Sequence, residues 1–206
     1  MAAYVFDDIL NRGERVGAAP GKSAESRDWF RRAATQVTDV SAGKLLRADP
    51  DRLVARPKIG GMYLFKYDPK GKKTLPYYDV FPLVFPFASS GTGTRAPVSG
   101  QSFHAINLHY LPLRMRAKLM DKLYELVTDK RYDDSTRLKL SYQVLSSVSR
   151  FELFRPCVKQ YLVNQLQSKF FHVHSSEWDM ALFLPLQKFV GAPMSQVHRD
   201  SMAMFK

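Results

Sequence analysis

The alternation of apolar and polar positions predicts five short β-strands in the chain after residue 58. Residues 62–67 form an apolar and aromatic run between two glycines and a turn at residues 68–71, which is typical of a strand. Similar runs predict strands at residues 79–87, 103–111, 170–174 and 180–184. Pro82 and Pro86 predict that the second strand lies at a sheet edge or carries a bulge, because proline cannot donate a ladder hydrogen bond.

A helical period replaces this alternation between the third and fourth predicted strands. Pro112 occupies a position that proline tolerates at the start of a helix. Apolar residues then recur at helical spacings: Met115, Leu119, Leu123 and Leu126. Further helices are predicted at about residues 133–148, after an acidic N-cap, and at residues 156–168. The pattern therefore predicts a three-helix insertion at about residues 112–168.

Residues 1–57 differ from the rest of the chain. They are rich in small and charged residues, with repeated glycine and proline, and one helix is predicted at about residues 25–37. Prolines at positions 50 and 57 disfavour helix around them. We expect an extended N-terminal arm that docks on a neighbouring protein through four residues of its helix: Trp29, Phe30, Arg31 and Arg32.

The order of these elements predicts an α+β fold. Three strands before the helices and two after them suit a small, strongly curved antiparallel barrel of the Src-homology-3 (SH3-like) type. The predicted organisation is an arm at residues 1–57 and a compact α+β domain at residues 58–206, into which the helical segment is inserted.

The charge of the chain is strongly basic. Lysine and arginine outnumber aspartate and glutamate by 31 to 19, which gives a formal net charge of +12. Such an excess favours binding to phosphate backbones, because each cationic contact releases counterions. An anionic membrane or an acidic protein partner would also suit this charge. No segment reaches the roughly 20 apolar residues of a membrane span, and the N-terminus lacks a secretion-signal pattern, so we expect synthesis in a cytoplasm.

Residues that could carry catalysis lack partners in the sequence. His172 and His174 alternate along a strand and could share a metal, but no third ligand lies near them. Cys157 is the only cysteine and has no histidine placed to activate it, so we expect a buried thiol. The glycine-rich loop at residues 91–94 lacks the lysine of a phosphate-binding loop. We therefore expect no enzymatic activity, no cofactor and no metal site.

Basic and aromatic residues together predict a nucleic-acid surface. Lysines around the first turn alternate with tyrosines, which supplies cations for phosphates and rings on which bases stack. The candidate residues are Lys66, Lys70, Lys72, Lys73, Tyr77, Tyr78, Arg95, Arg114, Arg116 and Lys118. The alternative is that the tyrosines fill the core and the lysines are a solvated hairpin tip.

Several segments resemble a protein of T-even-like myoviruses. They are residues 61–70, 75–84, 106–112, 154–159, 178–179 and 183–185, and the resemblance covers roughly residues 57–202. Proteins of this family are described as DNA end protectors or as head, neck or tail components.

The resemblance implies a non-enzymatic phage virion protein. As an end protector it would cover the terminus of packaged double-stranded DNA and block the host RecBCD exonuclease after injection. The alternative is a structural subunit of the tail, baseplate or neck, which contacts other virion proteins through its N-terminal arm. Both place the protein in the virion, with no membrane partner.

Overall fold

The computed structural model describes residues 5–20, 22–89, 101–127 and 152–203. The helices are α1 (Val5–Arg15), α2 (Ala24–Thr35), α3 (Ala42–Ala48), α4 (Leu113–Val127), α5 (Trp178–Phe183) and α6 (Met194–Ala203). The strands are β1 (Leu53–Val54), β2 (Met62–Leu64), β3 (Tyr78–Asp79), β4 (Leu83–Ser89), β5 (Ser102–Asn107), β6 (Val158–Leu162), β7 (Phe170–Val173) and β8 (Phe189–Val190).

The strands form one antiparallel sheet and one small ribbon. The sheet has six strands in the order β1-β7-β2-β4-β5-β6, and β3 pairs with β8 in the ribbon. A single bridge between Tyr67 and Leu166 connects the continuation of β2 to the chain just after β6, so the sheet curls strongly. The α+β class is confirmed. The sheet is open between β1 and β6 in the part of the chain described, so the predicted closure into a barrel is not confirmed.

Both faces of the curled sheet are buried. One face packs under the helices in the main core, to which β2, β4 and β7 contribute Leu64, Phe85 and Phe171. The other face carries an aromatic cluster around Phe65, whose ring lies 4.9 Å from that of Phe170 and 5.2 Å from that of Tyr161. Alternation along each strand sends successive side chains into these two cores.

The prediction of an extended arm with one helix is wrong for residues 5–48. The helix predicted at residues 25–37 is confirmed as α2, but α1 and α3 flank it. Ser23 and Ser41 accept hydrogen bonds from the backbone N–H of Ser26 and Lys44 and so cap α2 and α3. The apolar sides of the three helices pack into the main core. The domain boundary at residue 57 stays a prediction.

Two predictions after residue 150 are also wrong. Residues 158–162 form strand β6 rather than a third helix, since they pair with β5 from Val158 opposite Ile106 to Leu162 opposite Ser102. The strand predicted at residues 180–184 is helix α5, in which every residue from Trp178 to Leu182 is buried. A short apolar run does not distinguish a buried strand from a buried helix.

The remaining elements agree better with the pattern. The strands predicted at residues 62–67, 103–111 and 170–174 are confirmed with shorter bounds, as is the helix after Pro112. The strand predicted at residues 79–87 is divided into β3 and β4. Strand β4 lies inside the sheet, so its predicted edge position is wrong, but its bulge is confirmed by the register shift between Pro86 and Ala88. The second predicted helix, at 133–148, lies outside the described residues.

Candidate nucleic-acid interface

A loop between β2 and β3 presents four exposed lysines: Lys66, Lys70, Lys72 and Lys73. We call residues 66–73 the lysine turn. Its start is held by backbone bonds, since Tyr67 N–H donates to Val80 O over 2.9 Å and Gln167 N–H donates to Lys66 O over 2.9 Å. A short 3.1 Å bond from Lys72 N–H to Pro69 O closes the turn. The backbone is therefore anchored while the ammonium groups face solvent.

Lys72 forms an ion pair within this turn. Its Nζ lies 2.7 Å and 3.0 Å from the two carboxylate oxygens of Asp68, and both side chains are nearly half exposed. The hydrogen bond to Asp68 raises the pKa of Lys72. Asp68 thus neutralises part of the charge of the turn and orients the Lys72 side chain. Lys72 nevertheless remains at the surface.

The ribbon of β3 and β8 lies directly beside the lysine turn. Tyr78 pairs with Val190, and Asp79 pairs with Phe189. Because side chains alternate across a strand, Asp79 and Phe189 share the inner face, and Tyr78 and Val190 share the outer face. Asp79 is 4% exposed and Val190 is 41% exposed, which agrees with that assignment.

A buried polar cluster fixes the ribbon to the body. The Asp79 carboxylate accepts hydrogen bonds from the backbone N–H of Phe81 and Lys188, at 3.1 Å and 3.3 Å, and from the Asn107 amide at 3.3 Å. It also lies 2.7 Å from Nδ1 of His109. Burial lowers the pKa of His109 despite this carboxylate, so the ring is neutral at pH 7 and its Nδ1–H donates to Asp79.

Gly191 allows the ribbon to turn closely against the loop that precedes it. Its φ is +94°, and a Cβ at this position would lie 2.4 Å from Pro76 O. Both the backbone conformation and the contact therefore require glycine.

We expect Gly191→Ala to destabilise the protein by roughly 1–3 kcal/mol, since the variant must strain the backbone or push the ribbon away from Pro76. Chemical denaturation measures this loss. The matched control is Gly43→Ala, because a Cβ there would meet its nearest side-chain atom at 3.7 Å and glycine is disfavoured within a helix. Equal stability of the Gly191 variant and the wild type would contradict the assigned contact.

Comparison with known protein families decides the family of the chain. The family described as Phage T4 terminal DNA protecting protein matches residues 8–200. The chain belongs to this family. No curated protein and no solved structure matches the chain.

Membership among the terminal DNA protecting proteins confirms the resemblance and the expectation of a DNA end protector. The match begins at residue 8, whereas the resembling segments began near residue 57. Helices α2 and α3, and α1 from residue 8 onward, lie in the matched region, and all three pack into the main core.

As a terminal DNA protecting protein, the chain presents only part of the nucleic-acid surface predicted from sequence. The four predicted lysines lie on the lysine turn, and Tyr78 lies on the ribbon that follows it in the chain. Arg114 and Lys118 are exposed, but on α4, a different element from the lysine turn. Arg95 lies outside the described residues. The sequence did not identify Lys188 and Val190 as candidate contact residues, because no local signal marks them. The pairing of β8 with β3 brings them to the surface that carries Tyr78.

Of two further predicted contact residues, Arg116 is buried and Tyr77 is half-buried. Arg116 is 0% exposed and donates hydrogen bonds to the backbone carbonyls of Leu111, Leu182 and His109, so its prediction as a DNA contact is wrong. Tyr77 packs against Tyr110 and Phe189, and its hydroxyl bonds to Asp200. Its role in base stacking stays a prediction.

Of the four residues predicted to bind a partner through the arm, two are buried and two are at least partly exposed. Phe30 is 1% exposed and lies in the main core. Arg31 is buried between the carboxylates of Asp121 and Asp179, each 2.8 Å away. Those two predictions are wrong, because α2 faces the protein's own core. Trp29 is half-buried and Arg32 is exposed, so their predicted role stays a prediction.

Groups that could carry other chemistry are constrained by burial. Burial raises the pKa of Cys157 to about 12, which makes its thiol a core group, as predicted. The rings of His172 and His174 lie 4.9 Å apart. No cluster of three or more histidine, cysteine, aspartate or glutamate side chains suited to a metal ion occurs among the described residues. Within the same ranges, no helix combines the length and apolarity of a membrane span.

Proposed function

We propose that this terminal DNA protecting protein binds the end of packaged double-stranded DNA through the lysine turn and the ribbon beside it. The bound protein covers the terminus and keeps an exonuclease from loading there. The observation that carries the proposal is the convergence of the family match with an anchored turn that presents four lysines, next to an exposed ribbon.

The chemistry of the turn suits binding that does not depend on sequence. Lysine ammonium groups are point charges that contact phosphate oxygens, and such contacts position a protein on DNA without reading bases. A protector of DNA ends must accept whatever sequence packaging leaves at the terminus. The anchored backbone also limits the conformational entropy that would be lost on binding.

The same arrangement supports protection without catalysis. Hydrolysis of a phosphodiester needs an activated nucleophile or a metal ion beside an accessible phosphate. Cys157 is buried with a raised pKa, and His109 is completely buried against Asp79. We propose that the protein acts by occupancy, in the virion and after synthesis in the host cytoplasm.

Removing the charge of the turn tests the proposal. We expect the triple variant Lys66→Gln, Lys70→Gln, Lys73→Gln to weaken binding to blunt duplex DNA at every sequence. The slope of the logarithm of the binding constant against the logarithm of the salt concentration should become shallower by roughly 0.9 for each phosphate that the variant no longer neutralises. Titration at several salt concentrations measures both quantities, and protection of the DNA against an exonuclease should decline in parallel.

The control for this experiment removes an equal charge elsewhere. Lys22, Lys44 and Arg47 are exposed residues of the N-terminal segment, and their triple change to Gln should lower affinity much less. Equal reductions in affinity in both triple variants would show that only net charge matters and would contradict a site at the lysine turn.

A second function, docking on a head, neck, tail or baseplate protein, is favoured by a separate surface. Leu113 and Met194 are each 42% exposed. They border a groove of about 360 Å³ that Phe183 and Pro185 also line. Undiminished DNA binding by the lysine variant, or no DNA binding by the wild type, would favour this structural role over end protection at the turn.

A further inference from the structure

The ribbon and the loop before it present exposed apolar side chains within a basic surface. Leu75 is 44% exposed and Val190 is 41% exposed. Tyr78, the partner of Val190, is half-buried and lies on the same outer face of the ribbon. The paired Tyr78 and Val190, with Leu75 in the preceding loop, therefore offer apolar groups on an anchored element to a binding partner.

Contacts join these groups into one surface. The backbone of Gly191, which follows Val190, lies against Pro76, which follows Leu75. Lys72 is close enough to Tyr78 for the two to interact electrostatically. Lys188 leads into β8 and is exposed. An apolar patch of Leu75, Tyr78 and Val190 is therefore bordered by lysines of the turn and of β8.

The terminus of a DNA duplex exposes a flat apolar surface that its interior lacks, and the apolar patch suits that surface. Phosphates repeat along the whole duplex, so lysine contacts alone do not distinguish an end from the middle. Only the end exposes the flat face of a base pair. Aromatic and apolar side chains stack on such a face whatever the base, because every base has a π-face.

We propose that the outer face of the ribbon stacks on the terminal base pair while the surrounding lysines hold the flanking phosphates. The apolar patch is then the element that selects DNA ends over continuous duplex. This inference rests on the proposed DNA-end function and adds the source of its specificity.

Three other exposed apolar side chains, Leu113, Met194 and Val16, are less suited to this task. Leu113 and Met194 lie at the groove beside Phe183, but the guanidinium of Arg31 lies over that ring, 5.9 Å from its centroid. Val16 follows α1, in a segment that also carries the acidic residues Asp7 and Asp8. The ribbon combines an exposed aliphatic group, a ring on the outer face and adjoining lysines.

The test compares two DNAs of equal length and sequence, one with blunt ends and one whose ends are closed by hairpin loops. We expect the wild type to prefer the blunt duplex. The double variant Tyr78→Ala, Val190→Ser should lose roughly five- to 100-fold of that preference, as expected for one stacked base. Its affinity for the closed duplex should fall much less than its affinity for the blunt duplex, since the lysines remain.

Three variants complete the design. Tyr78→Phe keeps the ring and should keep the preference, while Val16→Ser changes an exposed valine away from the ribbon and should behave as wild type. Thermal unfolding confirms that each variant is folded, and the single change Val190→Ser serves if the double variant is not. An equal reduction in affinity for both DNAs, or no reduction, would overturn the stacking role.

The wild type itself separates this inference from the function on which it rests. Equal wild-type affinity for blunt and closed DNA would disprove end selection by the ribbon and leave DNA binding intact. Failure to bind either DNA would overturn the proposed function, and the stacking role with it.

Discussion

Replacing Arg116 by glutamate should leave little folded protein. The guanidinium donates hydrogen bonds of 2.8 Å, 2.7 Å and 3.2 Å to the carbonyls of Leu111, Leu182 and His109, and it is completely buried. Burial lowers its pKa to about 10, so it still carries a charge at neutral pH. Glutamate would remove the guanidinium donors from the three carbonyls and would place a second carboxylate in the region of Asp79.

The expected destabilisation is large compared with the stability of a domain. Removing one partner of a buried charged network costs about 3–5 kcal/mol, out of a total stability of about 5–15 kcal/mol. Chemical denaturation followed by circular dichroism measures it. Arg116→Met is uncharged, although it still removes the guanidinium donors from the carbonyls. It should be less destabilised and remain folded enough for a stability measurement.

The neighbouring residues provide the matched control. Arg114 and Lys118 are exposed on the same helix, so the double change Arg114→Glu, Lys118→Glu should change stability by less than about 0.5 kcal/mol. If the Arg116 variant were as stable as this control, the three hydrogen bonds would contribute nothing and the buried placement of Arg116 would be wrong.

Deleting the first 58 residues should abolish cooperative folding. The deletion removes Phe6, Ile9 and Phe30 from the main core, and each is at most 2% exposed. Truncating one buried phenylalanine to alanine already costs about 3–5 kcal/mol. The combined effect exceeds the stability of a typical domain, so the remaining chain should lack a cooperative thermal transition.

The deletion also removes the partners of two buried acids. Arg31 Nε lies 2.8 Å from Asp179, and Arg52 Nη1 lies 2.6 Å from Glu177; these carboxylates belong to α5 and to the residue just before it. Without these arginines both acids lose a guanidinium partner beside the core. Burial by itself would lower the pKa of Arg31 and Arg52, because it removes water from the charged groups. The neighbouring carboxylates outweigh this effect and raise the pKa of both guanidinium groups above the ordinary value.

Single substitutions on α2 make the deletion result specific. Phe30→Ala should cost about 3–5 kcal/mol, whereas Arg32→Ala, at an exposed position of the same helix, should stay within about 0.5 kcal/mol. A deletion variant beginning at Ile59 that unfolds cooperatively near the wild-type temperature would show that this part of the chain forms a domain by itself, as the sequence predicted.

Local chemistry determined much of the lysine turn from sequence alone. Residues 70–73 consist of three lysines and a glycine, and such a segment has too little apolar surface to be buried. The same holds for α2 and α4, whose capping residue or initial proline and apolar period specify a helix without help from the rest of the chain. The sequence also predicts a buried thiol at Cys157, because no histidine is placed in the sequence to activate it.

The tertiary structure decided what these elements face. The sequence does not distinguish Arg116 from the exposed basic residues Arg114 and Lys118. Its position on α4, however, directs its guanidinium to the carbonyls of Leu111 and Leu182. Residues 158–162 became a strand because β5 offered an open edge to pair with. Val190 reached Tyr78 by pairing across more than a hundred residues. Burial and strand pairing depend on contacts distant in sequence, and local propensity does not determine them.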